Sequence, residues 1–154
     1  MNEHNQMINS ISEWTSAFLR RSIADFLKFN HKHGLSMSQS NVPMKLYYDG
    51  ATTILSLRQG LDGSRSAVTQ MVDKLVDMGL VNRSETPEDR RVKMICLTDE
   101  GKTLVEEGIE SRQNWIKPLV DNFSTEEQTR IAETLQKLTS AALALAEDQD
   151  SQSY

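Results

Sequence analysis

The chain has 154 residues, 38% hydrophobic and 25% charged, which is about one domain's worth and enough for a core without covalent staples. One cysteine excludes an internal disulfide framework, no apolar run approaches the ~18 residues of a membrane span, and no charged-then-apolar leader opens the sequence. A reduced, cytoplasmic protein is therefore expected, and the net charge of −5, taken whole, argues against nucleic acid as a partner.

The charge is unevenly spread. Residues 1–33 are net +1, residues 34–63 neutral, residues 64–98 net +1, and residues 99–154 net −7. All the excess acid lies in the last third, which hints at a division of labour between segments. An acidic helical surface that keeps the chain dissolved would show the same asymmetry.

In chain order, Ile8, Ile11, Trp14, Phe18, Ile23, Phe26 and Leu27 recur at helical spacing, and no Pro or Gly interrupts Met7 to His33. This predicts a helix of about 25 residues closed by Gly34 in the left-handed region. Ser36-Met-Ser-Gln39 reads as a capping box for a second helix running to about Tyr48 and stopping at Asp49-Gly50. Pro43 inside it predicts a kink or a late start. Thr52 to Arg58 reads as a short third helix, and Gln59 to Gly63 as a tight turn.

Ser64 can cap a fourth helix, whose stripe of Ala67, Val68, Met71, Val72, Leu75, Val76 and Met78 should be buried, with Gly79 ending it. Leu80–Ser84 and Val92–Leu97 read as strands of a hairpin with a long charged tip. Thr98 should start a helix with Asp99 and Glu100 opposing its dipole, reaching Lys117 where Pro118 bends or ends it. Ser124-Thr-Glu-Glu127 is a second capping box. Ile131, Leu135, Leu138, Ala142 and Leu145 then form a narrow seam for packing along another helix, and the chain after Glu147 is expected to fray.

The predicted fold class is mainly α with a small β-hairpin: a winged helix-turn-helix with six helices. In that layout the second helix of the pair enters the major groove and the hairpin reaches the backbone or minor groove.

The run Asp89-Arg90-Arg91-Val92-Lys93-Met94-Ile95-Cys96-Leu97-Thr98-Asp99-Glu100-Gly101 resembles the wing signature of MarR-family transcriptional regulators, Asp-x-Arg, five residues, then Leu-Thr-x-x-Gly. Ser64 to Leu75 followed by Gly79-Leu-Val-Asn-Arg83 is similar to that family's recognition helix and its exit. The resemblance covers roughly residues 35–105. It implies a homodimeric regulator of transcription that binds pseudo-palindromic double-stranded DNA, with activity modulated by a small apolar or aromatic effector. It further implies helical dimerisation regions at 1–34 and 102–154 around a reading region at 35–101.

Within that reading, Arg91 is placed to enter a narrow minor groove. Asp89 can hold its guanidinium by a bidentate pair, and Arg90 and Lys93 can meet phosphates. On the fourth helix, Arg65, Ser66, Thr69, Gln70, Asp73 and Lys74 form the polar face. Arg65 suits guanine, Gln70 suits adenine, and Ser64 and Ser66 suit phosphate at the helix N-terminus. Asp73 and Asp77 share that helix, so modest non-specific affinity is expected.

The same side chains would also serve as an ordinary solvated face. A winged helix used for protein interaction, without DNA affinity, is the alternative reading. Ile8 and Ile11, with the Ile131–Leu145 seam, are the candidate dimer interface. Trp14, Phe18, Met44, Tyr47 and Tyr48 are candidates for an effector pocket, or for plain core. Cys96 reads as a buried, inert thiol. His4, His31 and His33 lie outside any ligand-spaced set, and no nucleophile–base pair or phosphate-binding glycine loop appears. No enzyme activity, metal or cofactor is expected.

Overall fold

A computed structural model of the chain describes residues 2–59, 61, 64–85 and 93–151. The chain forms two compact units, Met1–Asn114 and Trp115–Tyr154.

In the first unit, α1 (Glu3–Lys32) is 30 residues long, beginning four residues earlier than the apolar pattern predicts. Asn2 supplies the reason: its side chain accepts from the His4 N–H, so the helix is capped before its apolar stripe begins. The far end closes as Gly34 predicts. Gly34 sits at φ 69°, the Leu35 N–H donates to the Asn30 carbonyl (2.9 Å), and the Gly34 N–H donates to that of His31 (3.2 Å). Those two bonds are a Schellman cap.

The Ser36–Gln39 capping box starts α2 (Met37–Asp49), and Gly50 ends it. Pro43 does not delay this helix, which starts at Met37 and continues through it to Asp49. Its ring is fully buried in the core, and that burial offsets the hydrogen bond lost to the Gln39 carbonyl.

Thr52 and Thr53, expected in a helix, instead form a two-residue strand, β1 (Thr52–Thr53), and α3 (Ile54–Gln59) begins only after them. Two β-branched residues favour extended backbone. The Thr53 hydroxyl then accepts from the Ser56 N–H (3.2 Å), capping the helix two residues late.

Helix α4 (Arg65–Asp77) is capped by Ser64 and ends in a second Schellman arrangement at Gly79, with Leu80 N–H on the Leu75 carbonyl (2.9 Å). Strands β2 (Val81–Glu85) and β3 (Lys93–Leu97) pair antiparallel, Val81 opposite Leu97 and Glu85 opposite Lys93. β1 adds to the other edge of β3, giving the order β1-β3-β2.

The core lies between α2, α3, α4 and this sheet: Val42, Leu57, Val68, Val72, Leu75, Val81 and Ile95 are fully buried. Val68, Val72 and Leu75 of the predicted α4 stripe thus face inward and Ala67, Met71 and Val76 are half-buried, whereas Met78, expected to be buried, is exposed at the C-cap position beyond the helix. Cys96, expected to be buried, is half-buried, because alternation along β3 gives the inward position to Ile95.

Helix α5 (Asp99–Ser111) stops six residues before Lys117. Gly108 sits in its last turn, the Ser111 hydroxyl bonds back to the Gly108 carbonyl (2.8 Å), and the backbone tightens into i→i−3 bonds at Arg112 and Gln113. The α1–α5 contact buries Phe26 and Val105, and the Arg112 guanidinium lies 3.7 Å over the Phe26 ring.

In the second unit, α6 (Ile116–Val120) is a five-residue turn with Pro118 in its first turn, where the missing N–H costs nothing. The six expected helices are thus α1 to α5 and α7, with α6 additional. Ser124 and Glu127 form the predicted capping box of α7 (Thr125–Ser151), and the Ser124 N–H and hydroxyl hold the Glu127 carboxyl below its ordinary value. α7 continues past Glu147, where fraying is expected from composition. No Gly or Pro follows Phe123 to stop it, and its Ala, Leu, Glu and Gln content favours helix.

Candidate nucleic-acid interface

Helix α4 hides one face and shows the other. Val68, Val72 and Leu75 are buried, while Ser66, Gln70, Asp73 and Lys74 are exposed and Thr69 is half-buried. The amphipathic period of 3.6 residues therefore puts the polar set on one outward stripe.

At the helix start, the Ser64 hydroxyl accepts from the Ala67 N–H (3.2 Å) and lies 2.9 Å from the Ser66 hydroxyl. The first-turn N–H groups of such a helix lack intrahelical acceptors, and with the positive end of the dipole they favour an anion. The side chain of Arg65 lies outside the described residues, as do Asp89, Arg90 and Arg91 of the wing. Lys93, at the start of β3, is described and exposed.

The two halves of the stripe differ. Asp73 forms an ion pair with Arg83 on β2, so this acid of α4 is charge-matched. Lys74 extends the other way, its ammonium 3.4 Å from both the Gly34 carbonyl and the Gln39 side-chain oxygen. Sequence reasoning misses both partners. Arg83 and Asp73 are ten positions apart, and only the turn at Gly79 brings strand back against helix.

Thr98 joins the wing to α5. Its N–H donates to the Leu80 carbonyl (3.1 Å), its hydroxyl donates to the Gly79 carbonyl (2.7 Å), and the same hydroxyl accepts from the Gly101 N–H (2.9 Å). The Thr of the Leu-Thr-x-x-Gly motif thus caps one helix while tying down the exit of another.

The effector-pocket candidates fall into three groupings. Trp14 and Phe18 pair on α1 at 6.2 Å between ring centroids. Tyr47 and Tyr48 pack edge to face on α2 at 5.5 Å. The Tyr47 hydroxyl donates to Glu106 on α5 (3.3 Å), and that carboxylate raises the phenol above its ordinary value. Met44 borders a gap of about 10 Å³ with Phe26, Asn30, Pro43 and Val105, near the lower limit for one water.

The interface candidates Ile8 (49% exposed), Ile11 (38%), Ile131 (39%), Leu135 (42%) and Leu145 (66%) leave apolar surface open on α1 and α7. Ala142 is exposed and Leu138 half-buried. Among the described residues, no helix is long and apolar enough to cross a membrane.

Comparison with known proteins agrees with this arrangement. Residues 35–93 match the MarR family model. The chain is 34% identical over 104 residues to the uncharacterized HTH-type transcriptional regulator YdgG of Bacillus subtilis, covering 66% of this chain and 68% of that one. It is 28% identical over 142 residues to the HTH-type transcriptional repressor MdtR of the same organism, covering 92% of each. A mutant of S. aureus MepR bound to an oligodeoxyribonucleotide shares the fold, with a TM-score of 0.71 at 21% identity over 86% of this chain and 97% of that one. The family model and these relatives agree with the fold, and this chain is a winged helix-turn-helix member of the MarR family of DNA-binding transcriptional regulators.

Proposed function

We propose that the protein is a cytoplasmic repressor that binds a pseudo-palindromic duplex site as a homodimer. The observation that carries this reading is α4 itself: a helix with a buried apolar face, a serine-capped N-terminus and an exposed polar stripe, flanked by a β-ribbon. Ser64, Arg65, Ser66, Thr69 and Gln70 address the major groove, where paired donors and acceptors distinguish the bases. Asp89, Arg90, Arg91 and Lys93 take the wing to the backbone and minor groove.

Residues 35–101 are the reading region, and residues 1–34 with 102–154 the dimerising region. The open apolar side chains of α1 and α7 support that division, because such stripes require a partner surface. Two-fold symmetry then sets the half-sites about one helical turn apart, roughly 34 Å. The repressor name of MdtR and the oligonucleotide bound to MepR support the direction of regulation and the nucleic-acid partner.

A small apolar or aromatic effector acts by shifting the population between DNA-competent and incompetent spacings of the two reading heads. The gap beside Met44 must widen to admit it.

The test is selection of duplexes from a randomised pool by the pure protein, followed by affinity measurements at about 50 and 200 mM salt. Steep loss of affinity with salt is expected, since each phosphate contact releases counterions. Absence of binding at the lower salt would overturn the reading in favour of a protein-interaction module.

A further inference from the structure

Lys74 is a cation on the polar stripe of α4 that by type and place would be read as a phosphate contact. Its surroundings say otherwise. The ammonium lies 3.4 Å from the Gly34 carbonyl oxygen and 3.4 Å from the Gln39 side-chain oxygen. Both acceptors are held in place by other bonds. Gly34 is the left-handed residue of the α1 Schellman cap, fixed by its own N–H on His31 and by Leu35 on Asn30. The Gln39 oxygen already accepts from the Ser36 N–H at 2.9 Å, closing the α2 capping box.

Lys74 also sits against the C-terminal end of α1, where the helix dipole favours a cation. One residue earlier, Asp73 is tied to Arg83 on β2. Neighbouring positions on the C-terminal half of the helix are therefore anchored to two different elements.

We infer that Lys74 is a positioning residue: it fastens the recognition helix to the corner between α1 and α2, and the reading surface is confined to the first half of α4. This rests on the DNA-reading role proposed above. Lys74 sets the tilt of the helix against α1, and on this helix the bases and phosphates are met by residues before it. A long lysine stem can cross the gap between α4 and the corner, and a fixed carbonyl at its far end makes the crossing directional.

Two substitutions separate positioning from phosphate contact. Lys74→Met keeps the stem and removes the charge. Gln39→Glu keeps the acceptor for Ser36 and gives Lys74 a charged partner. Affinity is measured across about 50–200 mM salt on a duplex selected by the parent protein, and thermal midpoints are measured without DNA.

Positioning predicts that Lys74→Met weakens binding about fivefold at every salt concentration, with an unchanged slope of log affinity on log salt. It also predicts that Gln39→Glu raises the thermal midpoint in the parent but not in the Lys74→Met background. A slope reduced by about one would make Lys74 a phosphate contact and overturn the inference. So would unchanged affinity, or a Gln39→Glu effect independent of Lys74.

Should Lys74→Met fail to fold, Gln39→Glu alone decides. An unchanged salt slope supports positioning, and a slope lowered by about one overturns it, because the new carboxylate would draw the ammonium off a phosphate. Failure of the parent to select any duplex would sink the DNA-reading role, while the thermal coupling of Lys74 with Gln39 would still be readable.

Discussion

Gly101 on α5 lies against the backbone carbonyl of Leu80, so close that a side-chain carbon at position 101 would overlap the Leu80 oxygen. Leu80 follows Gly79 in the C-terminal cap of α4, and its carbonyl accepts from the Thr98 N–H. The glycine of the Leu-Thr-x-x-Gly motif is thus required by contact between two elements: its own backbone dihedrals are helical, and what excludes a Cβ is the neighbouring strand entry. The junction sets how closely the exit of α4 approaches α5.

Gly101→Ala should therefore cost about 2–3 kcal/mol, because a backbone carbonyl must move to make room. Gly108→Ala, on the same helix, is the control. There the nearest neighbours of the added carbon are the Phe26 and Phe29 rings at 3.2 Å, and the gain in helix propensity offsets the crowding, for a change within about 1 kcal/mol. Urea unfolding of both variants checks the contrast, and equal losses would refute the contact argument.

Thr98→Val preserves shape and removes a hydroxyl that both donates to Gly79 and accepts from Gly101. A loss of about 1–2 kcal/mol is expected, with Thr98→Ser staying within roughly 0.5 kcal/mol of the parent. The same unfolding measurement reads it. A valine variant as stable as the parent would mean that the hydroxyl's two bonds do not hold the junction.

Leu135→Glu on α7 and Ile8→Glu on α1 place charge on surfaces that a single chain leaves open. Each should shift the sedimentation coefficient from dimer toward monomer, since an unpaired buried carboxylate costs several kcal/mol. Unchanged association in both variants would mean that these faces are not the interface.

Arg91→Ala should weaken binding to the selected duplex about tenfold or more while leaving the sedimentation coefficient unchanged. Equal affinity for parent and variant would show that the wing arginine does not engage DNA.

The sequence by itself determined the helices and most of their ends. Ser36, Ser64, Thr98 and Ser124 cap where their hydroxyls predict, and Gly34 and Gly79 close α1 and α4, because capping is chemistry between residues a few positions apart. It also determined the family, through the wing and recognition-helix motifs, and the inward face of α4, through its period. The third strand went unread because β-branching at Thr52 and Thr53 merely favours extended backbone, and what makes them a strand is pairing with Ile95 and Met94, some forty positions away.

Tertiary structure alone decided which charges are occupied. Asp73 and Lys74 read as neighbours on one polar face, yet one is bound to β2 and the other to the α1–α2 corner. No local pattern encodes those partners, since a turn and a crossing bring them together after the helices have formed. The net charge that argued against nucleic acid is resolved in the same way. The excess acid is confined to residues 99–154, and among the described residues Asp73 on α4 is matched by Arg83.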